Sequence, residues 1–299
     1  MSSVESTDRL IKAIACDTQT HTLQGGETMI VYADKSQAGR PLVLVHSINA
    51  APSAMEMKPL FESFRTRRPC YAPDLPGFGL SPRKPIAYTA AFFSNAINEL
   101  LRDVTREHGQ APDVVALSLS SEFAARAVVE LDAPCHSLIF ISPTGLSRRA
   151  PPGPNFSDRV NAVTGTPLLG RALYRLLTTR GSIRYFLNKA FTHEAPKEVV
   201  AYAQQTARLP GARYAPFAFL SMRLFSAGAL DSLYSQLTTP TLVIYDEDPN
   251  IDFDRLPELL ARNSLAQATR IAPTKGLPHW EQRQKTLDAM THFWSTIAE

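Results

Sequence analysis

The 299-residue sequence predicts an α/β protein: a mostly parallel sheet of about eight strands flanked by helices, with a helical cap inserted after the sixth strand. Three observations predict it. Short runs that are apolar at nearly every position recur along the chain, and such strands are buried on both faces, as in a parallel sheet between layers of helices. Helical patterns separate those runs, which is the alternation of βαβ units. After Ser142 the alternation stops for roughly 90 residues, a span too long for an unstructured loop.

Taken in order, "THTLQ" (20–24) and "TMIVYA" (28–33), separated by "GGE", predict a leading antiparallel hairpin. The buried strands follow: "PLVLVH" (41–46), "PCYAPDL" (69–75), "DVVALS" (113–118), "SLIFIS" (137–142), "TLVIYD" (241–246) and "ATRIAP" (268–273). Residues 1–147 and 238–299 are expected to form the core and residues 148–237 the cap. In the cap, Arg171 and Arg175 stand one turn apart opposite Leu169, Leu173, Leu176 and Leu177, as on the wet face of an amphipathic helix.

Composition narrows the function classes. A 44% hydrophobic and 20% charged chain is that of a soluble globular protein, and no apolar run approaches the ~18 residues of a membrane span. The first residues, "MSSVESTDRLIKAIACDTQTHTL", lack a basic stretch followed by an apolar one, so a cytoplasmic protein is expected. Cys16, Cys70 and Cys135 form no metal-ligand or redox spacing and read as packing residues. Residues 148–237 hold 12 Lys/Arg against 4 Asp/Glu, a balance of +8; with the whole chain at +3, the remainder carries −5. No nucleic-acid motif or aromatic interleaving accompanies the basic charge, which excludes nucleic acid as the expected partner and favours an anionic substrate or an anionic lipid surface.

The chemistry is sought in "DVVALSLSSEFAARAVVELD", where a strand runs into a helix. A nucleophilic serine at such a turn needs small residues two positions before and after it, because strand and helix backbones nearly touch. Ser118 has Ala116 and Ser120 there; Ser120 has Ser118 and Glu122; Ser121 has Leu119 and Phe123. Only Ser118 fits. A serine needs a base to take its proton and an acid to hold the base's tautomer. "KGLPHWEQ" puts His279 in a loop after the last strand, and "YDEDPN" after the strand before it supplies Asp246, Glu247 and Asp248. The order Ser, Asp, His follows.

These segments resemble the α/β-hydrolase family, from about residue 20 to the end of the chain. Ser118 is similar to the nucleophile elbow, with both flanking glycines replaced; "HSIN" (46–49) to the His-Gly turn after the third strand, with Ser47 in place of glycine; "DLPGFGLS" (74–81) to the D-x-x-G-x-G-x-S loop; and "GLPHWE" to the histidine loop. The resemblance implies a serine hydrolase with a helical cap. In it Ser118 attacks, His279 moves the proton, Asp248 orients His279, and the backbone N–H groups of Ile48 and Leu119 hold the oxyanion; no cofactor or metal is implied. The family's acid usually lies four residues beyond the aromatic ending its strand, where this chain has Pro249, so Asp248 is preferred and Asp246 stays open. His46 is expected to brace the oxyanion turn, and Asp74 to form a turn with Gly77 and Gly79. No aspartate stands at position 118, against haloalkane dehalogenase or epoxide hydrolase chemistry.

The expected reaction is cleavage of an ester-type bond in a small molecule through an acyl-enzyme, with carboxylesterase first and thioesterase, lipase or C–C bond hydrolase as alternatives. A noncatalytic ligand-binding protein on the same fold is the rival from another class, since the elbow is degenerate. Oligomeric state is not encoded in any of these features.

Overall fold

The computed structural model describes residues 11–149 and 154–297. The chain opens with β1 (Asp17–Thr22) and β2 (Thr28–Asp34), an antiparallel pair. β3 (Leu42–Val45) leads through a 3-10 turn at Ala54–Met57 into α1 (Lys58–Phe64) and β4 (Cys70–Asp74). α2 (Ala90–His108), β5 (Asp113–Leu117), α3 (Ser120–Leu131) and β6 (Ser137–Ile141) come next. Among the described residues, six α-helices and then a 3-10 turn at Tyr234–Gln236 separate β6 from the following strand. The helices are α4 (Pro154–Gly165), α5 (Pro167–Leu177), α6 (Arg180–Lys189), α7 (Lys197–Thr206), α8 (Tyr214–Leu220) and α9 (Ala229–Ser232). β7 (Thr241–Glu247), α10 (Leu256–Arg262), β8 (Ala266–Lys275), α11 (Pro278–Glu281) and α12 (Arg283–Ile297) complete it. No helix among the described residues is long and apolar enough to cross a membrane.

The eight strands form one sheet in the order β1-β2-β4-β3-β5-β6-β7-β8, parallel from β4 to β8. Side chains alternate across it. Val43, Val45, Val114, Ala116, Leu138 and Phe140 face α2 and α3, whereas Leu42, Leu44, Val115, Leu117, Ile139 and Ile141 face the other way, toward α1 and α12. Both faces are buried, which is why the strands read as continuous apolar runs. The chain order reverses at β3 and β5, so their carboxyl ends open a crevice where ligands of such sheets bind. Below it, α2 is capped by Thr89, whose hydroxyl accepts from Phe92 N, and ends at left-handed Gly109. Its Phe93 ring stacks on Phe123 of α3 at 5.3 Å.

The first strand sits about two residues earlier than the pattern suggests, because Leu23 and Gln24 belong to the hairpin turn closed by Gly26 N donating to Leu23 O. A larger departure concerns α5. The structure turns Gly170 and Tyr174 inward, Tyr174 packing edge-on against Phe217, while Leu169 and Leu176 are 57% and 67% exposed. Gly170 packs against the Thr164 carbonyl, where a Cβ would sit 2.4 Å away, so this inward position admits only glycine without a shift.

The end of β4 ties the sheet to the 3-10 turn at Ala54–Met57. The buried Asp74 carboxylate accepts from Ala54 N and Leu80 N, both at 2.7 Å, and burial pushes its pKa up to about 6. Gly79, at φ +52°, faces this carboxylate so closely that a Cβ would lie 1.9 Å from Asp74 Cγ. Asp74 is therefore a turn-forming residue. We expect Gly79→Ala to cost at least ~2 kcal/mol or to prevent folding, from positive-φ strain plus the clash. Gly181→Ala, with open space around it in α6, is expected to cost nothing. Thermal melts by circular dichroism check the contrast; equal midpoints for the two variants would refute it.

Candidate active site

The three serines of the strand-to-helix turn part company in the structure. Ser120 Oγ donates to His46 O at 2.6 Å and Ser121 Oγ to Ala116 O at 3.1 Å, both fully buried. Ser118 is part-exposed, its hydroxyl has no protein partner among the described residues, and its φ is +55°. A non-glycine residue in that region carries strain, and here the strain lifts the side chain clear of both strand and helix. Ser118 N donating to Ile141 O at 2.8 Å anchors the turn to β6.

β3 lies beside β5, so the turn after β3 stands next to Ser118. In that turn His46 is wholly buried, with Nδ1 2.6 Å from Ser47 O and Nε2 accepting from Leu75 N at 2.9 Å. The carbonyl can only accept, so Nδ1 carries the hydrogen and the ring is neutral; burial lowers its pKa to about 4. Because a trans peptide points its C=O and N–H in opposite directions, holding Ser47 O fixes the Ile48 N–H as well. Neither Ile48 N nor Leu119 N, at the start of α3, has a protein acceptor among the described residues. His46 thus braces the turn.

Glu56, in the 3-10 turn, lies buried beneath it. Its carboxylate accepts from Ser47 N (2.8 Å), Ser47 Oγ (3.0 Å) and Asn49 Nδ2 (3.0 Å), and burial raises its pKa against the pull of those bonds. The same residue's carbonyl accepts from His279 Nε2 and from Trp280 Nε1, each at 2.7 Å. His279 is completely buried in α11, and its Nδ1 has no partner among the described residues. A base acting on Ser118 would need a free lone pair on Nε2 and an acid on Nδ1–H. The structure has the reverse tautomer, with Nε2–H spent on Glu56 and Nδ1 alone. Neither nitrogen reaches Ser118 or Asp248, which departs from the sequence expectation.

The two candidate acids also separate. Asp246 is buried and latches β7 to β8, accepting from Arg270 Nε and Thr274 N at 2.7 Å. Asp248 Oδ1 accepts from Asn250 N at 2.8 Å, and burial raises its pKa. Its other oxygen lies against Gly276, where a Cβ would come within 2.6 Å. Gly276, three positions before His279, thus lies against Asp248, and among the described residues no hydrogen bond joins Asp248 to His279. Sequence reasoning missed both Gly276 and Glu56. The glycine in "KGLPHWE" was the available signal for the first; nothing in "PSAMEMK" marks a buried acid.

The sequence profile of the Alpha/beta hydrolase family matches residues 42–289, and the chain belongs to that family. Among curated proteins, no sequence matches it. Its fold is similar to that of a serine hydrolase involved in carbazole degradation, at 14% identity and a TM-score of 0.72 over 94% of this chain and 100% of that one. An esterase from Thermogutta terrifontis gives 17%, 0.70, 94% and 99% in the same terms. A meta-cleavage product hydrolase from Pseudomonas fluorescens gives 15%, 0.70, 93% and 97%. At these identities the likeness is one of fold.

Burial lowers the His279 pKa to about 4, against ~6.5 for an unfolded histidine. Between those values the unfolded state binds the extra proton, so this group contributes destabilisation that grows as pH falls through the window. His279→Gln keeps an N–H for the Glu56 carbonyl and cannot be protonated. The variant's melting midpoint is expected to fall less steeply than the wild type's between pH 6.5 and 4.5; parallel curves would show that His279 is not held neutral.

Proposed function

We propose that the protein binds a small ester-type ligand with its carbonyl carbon over Ser118 and its oxygen toward the amides of Ile48 and Leu119, in a site that is not supplied with its general base. The observation that carries this reading is the pair Gly276 against Asp248 and His279 turned onto Glu56. A serine hydroxyl is a weak nucleophile until a neighbouring base takes its proton, so carbonyl binding persists while turnover is slow. On this reading residues 148–237 cap the ligand, and the chain is a ligand-binding member of its family with residual esterase activity.

A second reading keeps the full sequence of events: Ser118 attacks, His279 carries the proton, Asp248 orients it, and an acyl-enzyme is hydrolysed, most simply as a carboxylesterase. Thioester, lipid-ester and C–C substrates are variants of it that use the same serine. The positive φ of Ser118 and the two unpartnered amides favour it. So does the company of an esterase and a meta-cleavage product hydrolase on the same fold. It requires residues 276–279 to move and His279 to give up Glu56.

The two readings differ in one substitution. With p-nitrophenyl acetate and butyrate, Ser118→Ala is expected to bring hydrolysis to background, and a fluorophosphonate probe to label Ser118 slowly in the wild type. His279→Gln is expected to change that hydrolysis less than ~3-fold, whereas loss of an operating base costs ~10³-fold or more. A collapse of turnover in His279→Gln, with the fold intact by circular dichroism, would establish the second reading.

A further inference from the structure

The rotation of α5 leaves apolar side chains that no described residue covers. Ten large apolar side chains are exposed among the described residues, and seven of them fall between Phe156 and Phe186. Leu168, Leu169 and Leu176 of α5 are 79%, 57% and 67% exposed, and Tyr185 and Phe186 of α6 are 57% and 53% exposed. Single exposed apolar residues are ordinary, but five on two neighbouring helices that pack on each other are more than that.

The charges around them say what they meet. From residue 159 to 193 the chain carries six Lys/Arg and no Asp/Glu. Arg171 and Arg175 project on the flank of α5 next to Leu168, and Arg180, Arg184 and Lys189 on α6; all five are exposed. Lys189 Nζ stands 4.6 Å from the Tyr185 ring, and the nearest carboxylate partner, Glu194, is 3.8 Å from Arg184 and itself exposed. A second copy is a poor occupant, because two-fold association would set the arginines and lysine of one face against those of the other. A nucleic acid would leave the leucines unpaired in its phosphate layer. An anionic bilayer satisfies both features: leucine and aromatic side chains enter the headgroup–acyl boundary while arginines and lysine stay among the lipid phosphates. The balance of −5 on the rest of the chain turns the remainder away from such a surface and orients the molecule.

We propose that α5 and α6 dock the protein onto an anionic lipid surface, with Leu168, Leu169, Leu176, Tyr185 and Phe186 as the inserted groups. The proposal does not depend on whether Ser118 turns over a substrate. It is tested by flotation of the full chain with phosphatidylcholine vesicles, with and without phosphatidylglycerol, at low and high salt. Co-flotation is expected with the anionic vesicles only and is expected to weaken as salt rises. Leu168→Ser with Leu176→Ser, and separately Arg171→Glu with Arg175→Glu, are each expected to reduce the bound fraction by about tenfold or more. All four sites are exposed, so both double variants should fold, which circular dichroism verifies. Absence of co-flotation, equal binding to both vesicle types, or binding by both double variants at the wild-type level would overturn the proposal. So would a wild-type dimer, seen by light scattering, that Leu168→Ser with Leu176→Ser converts to monomer without any vesicle binding.

Discussion

Glu56 joins two parts of the site that are far apart in sequence. Its carboxylate takes the amide and hydroxyl of Ser47 and the amide of Asn49, and so sets the turn that carries the Ile48 N–H. Its carbonyl takes His279 and Trp280, and so sets the helix that ends the histidine loop. Both ends are buried, where leaving a polar group unpaired costs ~1–3 kcal/mol, so neither end moves freely of the other. Ser47 and Glu56 act as a pair: the serine hydroxyl supplies a donor that a glycine there would not, and the buried acid needs every donor it has. Trp280 would keep the Glu56 carbonyl satisfied if His279 left, but the His279 Nε2–H would then need a new acceptor.

The elbow holds its strained serine with less help from glycine than the turn ordinarily requires. Ala116 is small enough because it lies inside the sheet, paired with Val45 on one side and Phe140 on the other. Ser120 does more than stay out of the way, since its hydroxyl bonds the His46 carbonyl and pulls the first turn of α3 onto the turn after β3. Strain at Ser118, of order 1–3 kcal/mol, is thus held by the Ile141 anchor below and the Ser120 stitch beside it. The same two contacts hold the start of α3 against the turn after β3.

What was legible in the sequence follows from which interactions are local. Apolar runs such as "DVVALS" and "SLIFIS" show burial on both faces, and every strand they announced is present within a few residues. Ser118 could be separated from Ser120 and Ser121 because crowding at a strand-to-helix turn depends on residues two positions away. His279 could not be judged that way. Its role depends on where Gly276, Asp248 and Glu56 lie around it, and those are set by the reach of β8 to Lys275 and by a bond across 223 residues. The α5 leucines misled for a related reason: their spacing is that of a buried stripe, but the face that turns inward is the one where Gly170 meets Thr164 and Tyr174 meets Phe217, contacts with residues outside the helix.

Electrostatics at Asp248 agrees with the geometry. Desolvation is the largest influence on this carboxyl and raises its pKa; the Asn250 and Ile251 amides oppose it, and Asp252 adds to it. No cation enters the balance. A carboxylate that orients an imidazole gains from the charge that ring acquires as it takes a proton, and that gain offsets the cost of holding the acid away from water. With Gly276 beside it, Asp248 bears the cost without the partner. The arrangement of Asp246 shows the contrast, since its bonds to the Arg270 guanidinium and Thr274 amide occupy both of its oxygens. One aspartate is finished as a structural latch, and the other is held by loop amides with one oxygen against Gly276.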